Sequence, residues 1–173
     1  MKQITHLLIT IIILATPVFA QNQSTTPSPQ ETLKAIDAFS KSPLGPEAKK
    51  TDDIIWRFFG DSKSTNFARV YLFPEFAPFT ELSAAEPKPP ENIVRALRTA
   101  TLAGNLRPQL KTGVIGNQPY AGLQEMIRTY NQLQQADKTL RVQQIENFVD
   151  LEAKNQLKQY VDEIVKKKKY PTK

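Results

Sequence analysis

Asn117-Gln118-Pro119-Tyr120-Ala121-Gly122-Leu123-Gln124-Glu125-Met126-Ile127-Arg128-Thr129-Tyr130-Asn131-Gln132-Leu133 is the stretch whose reading decides the fold. Tyr120, Leu123, Ile127, Tyr130 and Leu133 recur at intervals of three and four, the spacing that puts apolar side chains on one face of an α-helix. Asn117 is a good N-terminal cap and Pro119 falls in the first turn, where its missing N–H costs nothing. A long helix that is apolar on only one face has to bury that face against other elements, and the neighbouring sequence offers more helices.

Downstream, 141–153 carries Val142, Ile145, Phe148, Val149 and Leu151, and 156–167 carries Leu157, Tyr160, Val161 and Ile164, both at helical spacing. Linkers of a few residues make these helices antiparallel neighbours. Upstream, 91–103 reads as a helix with Ile93, Val94, Leu97, Ala100 and Thr101 inward. Gly104-Asn105 closes it, Gly104 being read as a C-terminal cap in preference to a point of close helix contact. A shorter helix over 106–111 stops at Gly113. No consensus recurs at the roughly 34-residue spacing of helix-pair repeats.

Glu86-Pro87-Lys88-Pro89-Pro90 makes 83–90 a stiff proline-rich loop, the main punctuation of the chain. Before it, 61–82 is dense in aromatics, with Phe67, Tyr71, Phe73, Phe76 and Phe79, but Pro74 and Pro78 interrupt any long element. The spacing of Phe67, Val70 and Tyr71 favours two short helices over strands. Gly45-Pro46-Glu47 opens a helix with the stripe Ile54, Ile55, Phe58 and Phe59, and Gly60 is read as its left-handed cap. Ser28-Pro29-Gln30-Glu31 is a capping box with proline at the first helical position, followed by Leu33, Ile36 and Phe39 and ending before Pro43. The expected fold is therefore all-α: an irregular antiparallel bundle of about six to eight short helices forming a single domain over 29–165.

Residues 1–20 read as a cleavable secretory signal. Lys2 supplies the positive region, 7–15 the apolar stretch and Val18-Phe19-Ala20 the cleavage site. The apolar run is too short for a membrane span, which needs roughly 20 residues. No Cys follows it to accept a lipid. Secretion or a periplasmic location is expected, with a mature chain from Gln21 and a disordered polar leader over 21–28.

Composition narrows the chemistry. The chain has no Cys, and its one His, His6, lies within the signal. Without imidazole or thiol, a Ser-His triad, a thiol enzyme and a zinc site of ordinary donors all fall away. No cofactor motif and no metal-ligand spacing is present. Removing Lys2 with the signal leaves 22 basic and 17 acidic residues, a net of +5, but 21–165 holds 17 of each. The excess sits in the 166–173 tail: Lys166, Lys167, Lys168, Lys169 and Lys173. A nucleic-acid-binding domain carries its basic face on the folded body, so nucleic acid is not an expected partner. The lysine run reads as a solubilising tail suited to a helix C-terminus, with weak contact to an anionic envelope surface as the functional reading.

The acids do not converge in sequence. Asp52 and Asp53 diverge by about 100° on a helix, and their place early in it is explained by the helix dipole. Glu146, Asp150 and Lys154 read as a surface ladder. Trp56, Tyr71, Phe76 and Phe79 are the candidate partner or ligand surface, against the plainer reading that they fill the core. The function that fits is an exported, non-catalytic binding or scaffolding protein contacting an unidentified protein or envelope component. The alternative is a carboxylate-dependent hydrolase of cell-envelope or extracellular glycans, which needs only two facing acids.

Overall fold

The computed structural model describes residues 26–72, 74–76 and 89–168. Six α-helices follow in order: α1 (Pro29–Lys41), α2 (Ala48–Gly60), α3 (Glu91–Thr112), α4 (Pro119–Ala136), α5 (Gln143–Ala153) and α6 (Leu157–Lys168). Single turns of 3-10 helix occupy Ser62–Asn66 and Pro74–Phe76. No strand occurs among the described residues, so the all-α bundle holds. The signal, 21–25 of the leader, Phe73 and 77–82 of the aromatic stretch with Phe79, 83–88 of the proline-rich loop and the tail from Lys169 lie outside the described residues.

The start of α1 follows its sequence signature. Ser28 Oγ accepts from Glu31 N at 3.1 Å while Ser28 N donates to Glu31 Oε2 at 3.4 Å, so two amides left open by the first turn are closed reciprocally. α1 and α2 form a hairpin laid against α3, and α5 and α6 form a second laid against α4. The antiparallel pair α3–α4 is the spine between them. Phe39, Phe58, Ile36, Ile55, Leu97, Leu102, Leu106, Leu123, Met126, Tyr130 and Ile145 are the largest fully buried side chains of the bundle.

α3 corrects the sequence reading. It runs unbroken for 22 residues through Gly104-Asn105 and past Pro108. Gly104 is a contact glycine and not a cap: a Cβ there would press on the carbonyl oxygen of Ala121 and lie 2.5 Å from Glu125 Cβ. On the facing helix, a Cβ at Gly122 would lie 2.8 Å from the Thr101 carbonyl oxygen. The two glycines let the backbones of α3 and α4 approach where no side chain fits. Gly113, with φ 70°, is the residue that ends α3, its N–H reaching the Gln109 carbonyl at 2.8 Å. Because α3 is covered on nearly every side from Ile93 to Leu106, the single inward stripe expected for it is only part of its buried surface.

Three further expectations change. Gly60 is the last residue of α2 without a positive φ, so it is no left-handed cap. The 61–82 region contains two 3-10 turns, but Phe67, Val70 and Tyr71 lie outside both. The helix expected over 156–167 runs one residue further, so that Lys166, Lys167 and Lys168 form the last turn of α6, where cations suit the dipole. Between α5 and α6, Asn155 adopts φ 55°, and Asn155 N to Glu152 O (2.9 Å) with Gln156 N to Leu151 O (2.8 Å) completes a Schellman turn.

Candidate functional site

Among the described residues, the aromatic candidates Trp56, Tyr71 and Phe76 do not form one surface. Trp56 is half-buried, donates from Nε1 to Thr99 Oγ1 at 2.9 Å and meets Phe59 edge-to-face at 5.8 Å. One flank of it lines a wide, shallow depression with Glu31, Pro46, Lys49, Asp53 and Arg57, whose charges are mixed in sign. Phe76 is buried and meets Tyr160 of α6 edge-to-face at 6.2 Å, so it is core. Tyr71 is half-buried and its backbone N–H donates to Asn117 Oδ1 at 2.9 Å. Each packs on a different element.

Nor do the acids face one another. Asp52 is buried and accepts from Thr99 Oγ1, with Arg95 Nε 3.8 Å away. It is a partner to the Trp56–Thr99 pair, and the dipole reading of this residue is replaced. Glu146 accepts from the Tyr130 hydroxyl at 2.9 Å, an inward tie where a surface ladder was expected. That hydroxyl also accepts from Val142 N and from Gln134 Nε2, both at 3.0 Å. Tyr130 thereby caps α5, whose N-cap residue Val142 has no capping side chain of its own. Burial, opposed by the Val142 amide and reinforced by Glu146, pushes the Tyr130 phenol up to about 12.

Glu125 is the most heavily tied carboxylate. It is buried beside Gly104 and accepts from Ser40 Oγ, from Arg107 Nη1 at 2.9 Å and from Arg128 through both Nε (3.2 Å) and Nη2. The same guanidiniums reach carbonyls of α1: Arg128 Nη1 meets Ser40 O, in its last turn, at 3.0 Å and Arg107 Nη2 meets Ile36 O at 3.4 Å. Burial raises the Glu125 carboxyl, but the hydrogen bonds from Arg128 and Ser40 and the charges of Arg107 and Arg128 outweigh it and hold the group below its ordinary value. This cluster ties α1 to α3 and α4. Among the described residues no group of three or more acids could hold a metal ion.

A different region presents itself outward. Three amide side chains, Asn105 and Gln109 on α3 and Asn117 on the α3–α4 linker, form a network at this end of the bundle. Asn105 Nδ2 donates to Asn117 Oδ1 at 2.8 Å, Gln109 Nε2 donates to Asn105 Oδ1 at 3.0 Å, and Gln118 N donates to Asn105 Oδ1 at 2.9 Å. Asn117 thus works as a network member and not as the cap of α4, whose N-cap position is Gln118. Gln109 also clasps Arg69 at both backbone groups: its Oε1 accepts from Arg69 N at 2.8 Å and its Nε2 donates to Arg69 O at 2.9 Å. The same Oε1 accepts from Gly116 N at 3.0 Å. Two segments, 67–72 and 113–117, are therefore pinned to one pair of buried amides, Asn105 and Gln109 being 2% and 1% exposed.

Those segments carry most of the large apolar side chains left in solvent: Phe67 (47% exposed), Leu72 (37%), Val114 (66%) and Ile115 (40%), with Leu44 the other such residue among those described. A recess of about 200 Å³ lies beside them, lined by Phe59, Ala68, Val70, Tyr71 and Leu106 among others. Of the described residues expected to form a contact surface, Tyr71 alone belongs here. The signals that could have found the rest were an apolar pair between two glycines, Gly113-Val114-Ile115-Gly116, and two amides spaced i, i+4 on an otherwise apolar helix face.

The lysine run is less free than its sequence implies. Lys168 Nζ lies 2.6 Å from Glu75 Oε1 and joins α6 to the Pro74–Phe76 turn, while Lys166 and Lys167 are exposed. No helix among the described residues is long and apolar enough to cross a membrane. No protein-family model matches the chain, and comparisons with curated proteins and with solved structures return no match.

Proposed function

We propose that this is an exported, non-catalytic binding or scaffolding protein whose contact surface is the edge formed by 67–72 and 113–117. The observation that carries the reading is that four exposed apolar side chains stand on two segments held by the same amide network. Phe67, Leu72, Val114 and Ile115 stand in water on segments whose backbones are hydrogen-bonded to buried amides. Scattered apolar residues on a surface need no explanation, whereas a cluster held in place by a buried polar network marks an interaction site. The lack of His and Cys from Gln21 onward, and the engagement of Asp52, Glu125 and Glu146 with hydroxyl and guanidinium partners, support binding over catalysis.

Export rests on the three-part pattern of 1–20. Amino-terminal sequencing of the protein recovered from the periplasm or medium of its own cells should begin at Gln21, and a chain retaining Met1 in the cytoplasm would refute it. Contact at the edge is tested by placing a photo-reactive phenylalanine analogue at Phe67 or Val114 and, as control, at the exposed Gln159 of α6. Illumination of producing cells should give discrete adducts from the first two positions only. Equal patterns from all three would dismiss the edge as the contact surface.

A further inference from the structure

The partner's chemistry is written in the backbone of 68–72. Gln109 bonds both the N–H and the C=O of Arg69, and Asn117 bonds the N–H of Tyr71. In an extended chain the polar groups of alternate residues turn to opposite sides. The groups at 69 and 71 turn toward the amides, so those at 70 and 72 turn away. Among the described residues the backbone groups of Val70 and Leu72 form no hydrogen bond. This is one strand's worth of open donors and acceptors, with the inner side satisfied by side chains instead of a neighbouring strand.

Resting on the edge as the contact surface, we infer that its occupant is an extended peptide segment of a partner protein, added alongside 68–72 by backbone pairing to Val70 and Leu72. Backbone bonds supply affinity in such additions, and pockets for alternate side chains supply specificity. The recess beside Val70 and Tyr71 and the exposed Val114 and Ile115 call for apolar residues at alternate positions of the peptide. Charge adds a second requirement. Lys63, Arg69 and Lys111 stand on the two framing stretches, 61–72 and 109–118, against the single acid Asp61, which already accepts from Thr26 and from Lys63 N at 2.7 Å. The peptide is therefore acidic as well as apolar.

The probe is a displayed library of random peptides about ten residues long, enough for one strand, selected on the mature chain. Enriched peptides should alternate apolar residues and carry acids. N-methylation of one enriched peptide at alternate positions should weaken binding by about tenfold or more for one set, which loses donors to the edge, and little for the other. Selection of peptides apolar at every third or fourth residue, equal sensitivity of both N-methyl sets, or no enrichment at all would overturn strand addition. In the free protein, the amides of Val70 and Leu72 should exchange rapidly with solvent deuterium while those of Arg69 and Tyr71 are protected. Protection at 70 and 72 would mean the edge is already covered and would equally overturn it. Adducts at Phe67 and Val114 together with any of these failures would leave the contact surface standing and remove only the strand.

Discussion

Gly104 and Gly60 illustrate how one residue type takes opposite roles in neighbouring helices. At Gly104 a methyl group has nowhere to go, because Ala121 and Glu125 of the facing helix occupy its space. Gly104→Ala should cost about 1–3 kcal/mol, the usual penalty of overpacking. At Gly60 nothing lies within 4 Å and φ is not positive, so Gly60→Ala should stabilise by about 0.4–1 kcal/mol by narrowing the unfolded ensemble. Urea unfolding of both variants checks the signs, and the same sign for both would contradict the packing described. Tyr130→Phe should cost about 1–3 kcal/mol, since it strips Val142 N, Gln134 and Glu146 of a shared buried partner. The pH sign follows from the raised phenol. Its contribution is complete below the unfolded value of about 10 and is lost as pH rises toward about 12. Burial, with the charge of Glu75, also raises the Tyr160 phenol, so spectroscopic titration should find more than one tyrosine ionising late, and Tyr130→Phe should remove one of them.

At the scale of elements, the Glu125 cluster is what fastens the first hairpin to the spine. Its carboxyl sits below its ordinary value in the folded chain, so the stability it adds is present above the unfolded carboxylate value of about 4.3 and is lost as pH falls through the lower folded one. Glu125→Gln should cost about 3 kcal/mol at neutral pH, since it leaves Arg107 and Arg128 without their buried counter-charge. It should also flatten the acid limb of the stability curve, and an unchanged acid limb would place the sensitivity in another carboxylate. Most elements were legible in the sequence because their cues are local. The capping box at Ser28 and Glu31, the proline at Pro119 and the three-and-four spacing of α4 depend on residues within a turn or two. What was not legible depends on partners far along the chain. Gly104 reads as a stop until Gly122 is known to face it, and Asn117 reads as a cap until Asn105 and Tyr71 are placed beside it. The contact edge was hidden for the same reason. Gln109 and Asn117 hold the segment that carries Phe67 and Leu72 near the one that carries Val114 and Ile115, and no periodicity within either segment records that meeting.

For the molecule as a whole, two hairpins packed on a glycine-contact spine leave one end where buried amides support exposed apolar side chains. Those side chains contribute little to the fold, since they remain in water. Serine at Phe67, Val114 and Ile115 together should leave stability within about 0.5 kcal/mol, as for surface changes generally. The most direct test combines that triple variant with a photo-reactive residue at Leu72, measuring adduct yield in producing cells once urea unfolding has shown equal stability. The edge as contact surface predicts a discrete adduct in the parent chain that disappears in the triple variant. An adduct of undiminished yield in an equally stable triple variant would contradict it.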